Sequence, residues 1–266
     1  MTGALREATA RLAAAGVENA AQEARWMVEL ARREATPQER LEAMLRQREA
    51  GVPFQYAVGS TEFYCIELEV GPGVLIQRPE TELLVEEALR LLKDAPAGTR
   101  VLDLCTGSAA IPLAMAAERP DLDYTAVDLS PEALAWARRN AARLKPPHLQ
   151  LLQGDLFEPL AAGGQFALVT ANPPYVSPSE YAALEPEIKE HEPRLALEAE
   201  DDGLAVACRI LDEARPFMAS GAFLLMEMGE TQGRALQERA LADGFSDVRI
   251  LRDLTGRDRF VFAINP

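Results

Sequence analysis

From residue 100 onward the chain alternates apolar, strand-like runs with amphipathic, helix-like ones, and this alternation limits the fold more than any other feature. The strand candidates are Arg100–Cys105, Tyr124–Leu129, Leu149–Asp155, Phe166–Ala171 and Ala222–Met228. Helical patterns fill the intervals at Ser108–Glu118, Pro131–Leu144, Leu204–Met218 and Thr231–Asp243. Such an order predicts an α/β fold with a mostly parallel sheet covered on both faces. Val248–Leu251 and Arg259–Ile264 close the chain with no helix between them. They predict an antiparallel hairpin at one edge of the sheet.

The first fifty residues read as helical. Trp26, Met27 and Leu30 are spaced for one helix, and Leu41, Met44 and Leu45 for another. Thr36-Pro37-Gln38-Glu39 offers an N-cap, a proline at the first helical position and a capping-box glutamate. This region has no chemical motif, so it reads equally as a small bundle or as a substrate-docking unit. Between Gly51 and Gly73, Phe54, Tyr56, Val58, Phe63, Tyr64, Ile66, Leu68 and Val70 alternate with other residues, which predicts a hairpin-like connector.

Composition excludes several classes. Hydrophobic residues make up 48% of the chain, enough for a sizeable core, yet no apolar run is long enough to span a bilayer. The opening MTGALREATARL lacks a signal-peptide core. Cys65, Cys105 and Cys208 are odd in number and widely spaced, which suggests reduced thiols in a cytoplasm and no disulfide framework. His148 and His191 have no metal-like spacing, so no metal is expected. The formal charge of −15, from 27 basic and 42 acidic side chains, argues against nucleic acid as the main contact.

Two places carry chemistry. Asn172-Pro173-Pro174-Tyr175 follows the apolar run Phe166–Ala171. The prolines stop ladder pairing and hold the backbone extended. Asn172 and Pro173 supply carbonyl oxygens at a rigid corner, which suits a planar NH2 group such as a carboxamide or the exocyclic amine of a base. The second place is Val101-Leu-Asp-Leu-Cys-Thr-Gly-Ser-Ala-Ala-Ile111, a strand, a loop of small residues and a helix start. Such a loop lets a ligand approach the backbone at a helix N-terminus. Asp103 precedes the loop and could face an amino group. Asp128 ends the next strand, placed for ribose hydroxyls. Gly154-Asp155-Leu156-Phe157 ends a third, where a carboxylate and apolar neighbours could frame an adenine. Amino acid, ribose and adenine in that order spell S-adenosylmethionine.

Together these motifs resemble the seven-stranded, Rossmann-like S-adenosylmethionine-dependent methyltransferases, and over nearly the whole chain one branch of them, the peptide-chain release factor glutamine methyltransferases. The supporting segments include Gly59-Ser-Thr-Glu-Phe63, Leu75-Ile-Gln-Arg-Pro-Glu-Thr-Glu-Leu83, Asp103-Leu-Cys-Thr-Gly-Ser108 and Asp128-Leu-Ser-Pro-Glu-Ala-Leu134. Gly154–Phe157, Asn172–Tyr175, Glu192-Pro-Arg-Leu-Ala-Leu197, Asp202-Gly-Leu204, Glu227-Met-Gly229 with Gln232, and Asp258-Arg259 complete the set. The Arg78–Glu82 and Glu192–Leu197 segments are the most specific; the Asn172–Tyr175 motif is shared with adenine methyltransferases.

The resemblance implies an N-terminal helical docking domain (1–50), a β-hairpin linker (51–78) and a methyltransferase domain (79–266). It implies methylation of the glutamine in the GGQ motif of class 1 release factors, with S-adenosylmethionine giving S-adenosylhomocysteine. A glutamine of a large-subunit ribosomal protein, or a nucleic-acid adenine, are the competing substrates; a non-catalytic adapter is the competing class. Cofactor contacts carry over to Cys105, Thr106, Gly107, Ser108, Ala109, Asp128, Leu156 and Asn172, beside the Asp103 and Asp155 read from the strand ends. Substrate contacts carry over to Asn172, Pro173, Pro174 and Tyr175, with Asn172, Pro173 and Tyr175 expected to act in catalysis. The chain departs from the family at Gln77, where proline is usual, and at Cys105 and Ala109, where glycine is frequent.

Overall fold

The computed structural model describes residues 3–160 and 165–266. Three helices, α1 (Gly3–Ala14), α2 (Ala20–Ala31) and α3 (Pro37–Glu49), pack around a core of their own that contains Leu12, Met27 and Met44. Thr36 stands at the N-cap of α3, but its side chain makes no cap bond, so the expected capping box is absent. The stretch Phe54–Val58, expected to be extended, is instead one helical turn, α4. Pro53 leads into it and Gly59, at φ 84°, closes it in the left-handed region. Tyr56, Ala57 and Val58 are buried in succession, against the one-face alternation read from the sequence. Ala57 and Val58 join the helical core. The connector does contain a hairpin, β1 (Ser60–Phe63) with β2 (Ile66–Glu69).

After α5 (Glu80–Leu91) the chain enters the sheet: β3 (Arg100–Leu104), α6 (Ala110–Glu118), β4 (Asp123–Asp128), α7 (Pro131–Leu144), β5 (Leu149–Gln153) and β6 (Phe166–Ala171). Three short helices follow, α8 (Pro178–Ala183), α9 (Pro186–His191) and the turn α10 (Glu200–Gly203). The fold closes with α11 (Ala205–Ala214), β7 (Met218–Glu227), α12 (Gly233–Ala242), β8 (Ser246–Arg252) and β9 (Asp258–Ile264). The strand order is β5-β4-β3-β6-β7-β9-β8, parallel as far as β7. β9 runs antiparallel to both β7 and β8. Its buried Phe260-Val-Phe-Ala263 takes the inner place, while β8 carries Arg249 and Arg252 at the edge, where charge blocks further pairing.

Alternate residues of each strand serve opposite faces. Val101, Leu168 and Leu225 meet α5, α6 and α7 through Leu84, Leu113 and Leu134. Leu102, Val169 and Leu224 meet α11 and α12 through Ile210, Leu211 and Leu236. From β3 the order runs outward to β4 and β5, then returns to the other side of β3 for β6. Such a switch point leaves a crevice outside the C-terminal strand ends, the usual ligand position in this architecture. Leu104 pairs with Ala171 there, so Cys105 and Asn172 leave the sheet side by side. Among the described residues no helix is long and apolar enough to cross a membrane.

Candidate active site

A cavity of about 180 Å³ occupies that crevice. Cys105, Thr106 and Gly107 wall it from the end of β3, Asp128 and Leu129 from β4, and Gly154, Asp155 and Leu156 from β5. Asn172 and Pro174 wall it after β6, and Gln77 and Ala196 close it from outside the sheet.

The β3 loop is tightly wound. Cys105, Gly107 and Ala109 have φ of 54°, 57° and 63°. Only glycine adopts that region freely; a Cβ there costs about 1–2 kcal/mol. The surroundings hold the shape: Thr106 N donates to Val127 O (3.1 Å), Gly107 N to Asp128 Oδ2 (2.7 Å), and Asn140 Nδ2 to Ser108 O (3.2 Å). Gln77 Nε2 adds a bond to Ser108 Oγ at 3.3 Å.

Asp128 accepts from Gly107 N through one oxygen and from Ser130 N through the other at 2.9 Å. Each oxygen retains a lone pair for a ligand. Burial pushes its pKa up, and the backbone N–H groups oppose that. Asp155 is ion-paired at the rim with Arg209 Nη1, at 3.0 and 3.1 Å. Asp103 does not reach the cavity wall. Its register partner is Thr170 of β6, whose hydroxyl donates to Asp103 Oδ1 at 2.7 Å. Burial pushes the Asp103 carboxyl up to about 7. Among the described residues Asp103 Oδ2 and Thr106 Oγ1 make no hydrogen bond of good geometry, though the Thr106 hydroxyl lies near enough to Asp103 to oppose the rise of its carboxyl. Ser108 and Ala109 also lie behind the wall, so of the expected cofactor residues seven line the cavity and three support it.

A narrow slot of about 30 Å³ opens beside the cavity, lined by Leu75, Arg78, Asn172, Tyr175, Val176, Ala196 and Leu197. Leu75, Asn172 and Ala196 border both spaces. Pro173 is buried and lines neither. The corner is braced from all sides. Val176 N donates to Leu197 O and Ala199 N to Val176 O, both at 2.9 Å. Gln232 Nε2 donates to Tyr175 O at 2.9 Å. Gly203, at φ 82°, passes so close that a Cβ would stand 2.1 Å from Tyr175 O. Glu192 accepts from Ile76 N (3.0 Å) and Arg78 Nη2 (2.6 Å), which clips the two most specific sequence segments together.

The methyltransferase small domain family model matches residues 79–197. A release factor glutamine methyltransferase of Escherichia coli (strain K12) is 41% identical over 221 residues, 83% of this chain and 78% of that protein. One from Thermodesulfovibrio yellowstonii is 39% identical over 82% of this chain and 78% of its own length. The chain belongs to the release factor glutamine methyltransferase family. The fold is shared more widely: a T. thermophilus 16S rRNA methyltransferase, in complex with AdoMet and guanosine, aligns with a TM-score of 0.57 at 19% identity, covering 78% of this chain and 50% of that one.

Within this family member, sequence reasoning missed the buried partners of the corner. Asn172 Nδ2 donates to Thr81 Oγ1 (3.2 Å), Thr81 Oγ1 to Glu227 Oε2 (2.7 Å), and Tyr175 OH to Glu227 Oε1 (3.2 Å). Burial pushes the Glu227 carboxyl up, opposed by the two hydroxyls and by Arg259. Burial also raises Tyr175. Thr81 and Glu227 lie 146 positions apart, and only their membership of family-like segments marked them in advance. Arg209, the partner of Asp155, had no signal at all: one arginine on an exposed helix face looks like any other.

Proposed function

We propose that the chain transfers a methyl group from S-adenosylmethionine to the side-chain amide nitrogen of the GGQ glutamine of class 1 peptide-chain release factors, in the cytoplasm. The observation that carries this reading is the position of Asn172, at the border of a cavity of about 180 Å³ and a slot of about 30 Å³. A donor in the first and an acceptor in the second would meet at that residue.

The cavity suits the cofactor. Asp128 has spare lone pairs for ribose hydroxyls. Gln77 and the wound backbone at Cys105, Thr106 and Gly107 are assigned to the amino-acid end. Leu129 and Leu156 offer apolar walls for the adenine, with Asp155 at the rim. When bound, the cofactor's sulfonium supplies an electrophilic methyl group.

The chain's own residues then have one task, because a carboxamide nitrogen is a weak nucleophile. They align it and exclude water. We assign Asn172 Oδ1 as the acceptor for its N–H groups, orienting the nitrogen and stabilising the positive charge that develops there. Pro173, expected as a second acceptor, is buried outside both spaces and fixes the backbone of the corner. Tyr175 walls the slot. The N-terminal helices, with no chemistry of their own, are assigned to docking the release factor.

Incubation with labelled cofactor tests the reading, with release factor, ribosomal proteins and DNA offered separately. Label should enter release factor alone and disappear when its GGQ glutamine is replaced. Label in DNA or in a ribosomal protein, with release factor unlabelled, would overturn it.

A further inference from the structure

The amide group of Asn172 can face either way by rotation about one bond, and only one orientation offers an acceptor to the slot. The buried side chains behind it choose between them. Thr81, in the first turn of α5, is 0% exposed and Glu227, at the end of β7, is 1% exposed. Both hydroxyls beside Glu227 donate to it, Thr81 to Oε2 at 2.7 Å and Tyr175 to Oε1 at 3.2 Å, and with Arg259 they favour the charged carboxylate against its burial. The one proton of the Thr81 hydroxyl is therefore committed to Glu227. Its remaining lone pairs can only accept, so Asn172 presents its NH2 to Thr81, at 3.2 Å, and turns Oδ1 outward. The reverse orientation would set two acceptor oxygens against each other. Tyr175 OH occupies the other oxygen of Glu227, so one carboxylate orders both side chains of the corner.

We propose that Thr81 and Glu227 are positioning residues: a one-way chain from Asn172 NH2 through the Thr81 hydroxyl to the Glu227 carboxylate fixes Asn172 Oδ1 toward the slot. This rests on the reading of Asn172 Oδ1 as an acceptor for the substrate amide. It adds a basis for choosing glutamine over glutamate. With Oδ1 outward Asn172 presents an acceptor, which suits an NH2 group and repels a carboxylate. With the amide reversed, the corner would offer an N–H and welcome one.

The experiment uses the full chain with Thr81→Val, Thr81→Ser and Thr81→Ala. Valine keeps the shape of threonine and removes the hydroxyl; serine restores it. Thr81→Val should lower kcat on release factor about 100-fold, the scale of a misplaced reacting group, with cofactor Kd within about twofold. Thr81→Ser should stay within about threefold of the parent in kcat. Release factor carrying glutamate in place of the GGQ glutamine should inhibit Thr81→Val more strongly than it inhibits the parent. An unchanged kcat in Thr81→Val, or a Thr81→Ser variant as slow as valine, overturns the proposal. Thr81→Ala, which removes the hydroxyl without valine's second methyl, decides if valine does not fold: slower kcat with intact cofactor affinity supports the chain, and parental kcat overturns it. A parent protein that binds cofactor yet leaves release factor unlabelled overturns the function itself, and the proposal with it, before any variant is compared.

Discussion

Two neighbouring rims border the cavity, and they are built on opposite principles. The Cys105–Ala109 loop is strained. Three of its five residues sit in the left-handed region, two of them carry a Cβ, and Thr106 Oγ1 beside them makes no hydrogen bond of good geometry among the described residues. The Asn172–Tyr175 corner is preset. Its prolines restrict the backbone before folding begins, and its polar side chains end in a closed set of bonds with Thr81 and Glu227. The difference teaches where each rim gets its precision. The loop borrows its shape from Val127, Asp128 and Asn140, whereas the corner carries much of its shape in its own covalent structure.

The largest test lies beneath the strained rim. Asp103 is held at about 7 by burial, far above the 3.8 of a free carboxyl. A raised folded-state pKa means that the protonated form is favoured on folding. Its contribution is full below the unfolded pKa and is lost as pH rises through the folded one. The difference corresponds to about 4 kcal/mol. Asp103→Asn cannot titrate, so its stability relative to the parent should improve by about that amount between pH 4 and pH 8. Denaturant unfolding at the two pH values measures this, and a difference that does not move with pH would remove the strained, desolvated picture of the loop base.

Asn172→Ala tests the preset rim. Alanine adopts the extended backbone that Pro173 imposes, so the corner should persist. What is lost is the acceptor, typically worth a factor of about 100–1,000 in rate. Single-turnover methylation at saturating cofactor, with thermal unfolding alongside, reads both quantities. A folded variant within a fewfold of the parent would sink the acceptor assignment.

The two rims also differ in how legible they were. The corner announced itself, because Pro173 and Pro174 fix local geometry whatever surrounds them. The strand pattern gave the seven-stranded sheet and its antiparallel end, since burial on both faces writes itself into apolar runs. What stayed hidden depends on contacts between distant residues. Asp103 was expected to face a ligand and instead bonds to Thr170, a partner fixed by strand register. Phe54–Val58 alternates over too few residues to separate strand from helix, and Pro53 with Gly59 decided for the helix. Thr81, Arg209 and Glu227 gain their roles only once three elements converge.

Asp128 joins loop and ligand, so its removal should show whether the strained rim is held from behind. Asp128→Ala removes the acceptor of Gly107 N as well as the proposed ribose contact. Charge-assisted bonds of this kind are worth about 1.5–3 kcal/mol. Cofactor affinity should fall by that amount in calorimetric titration, and unfolding stability should fall with it. Unchanged affinity would remove Asp128 from the ribose role; unchanged stability would show that the loop holds itself.

The smallest effects give the sharpest contrast, because the same kind of change should cost stability at only one of the two rims. Cys105→Gly relieves about 1–2 kcal/mol of left-handed strain, returns about 0.5–1 kcal/mol through the freer unfolded chain and gives up a partly buried side chain that packs on the core, worth up to about 0.8 kcal/mol. It should be neutral to slightly stabilising on balance. Ala109→Gly relieves the same strain but also loses a fully buried methyl, about 0.8 kcal/mol, so it should be close to neutral. Pro174→Ala loosens the unfolded chain and relieves nothing, so it should destabilise by about 0.4–1 kcal/mol. Chemical unfolding of the three variants under one condition resolves the signs. A Cys105→Gly protein less stable than the parent would mean that its surroundings favour the left-handed turn by more than the Cβ opposes it, and the contrast between a strained loop and a preset corner would collapse.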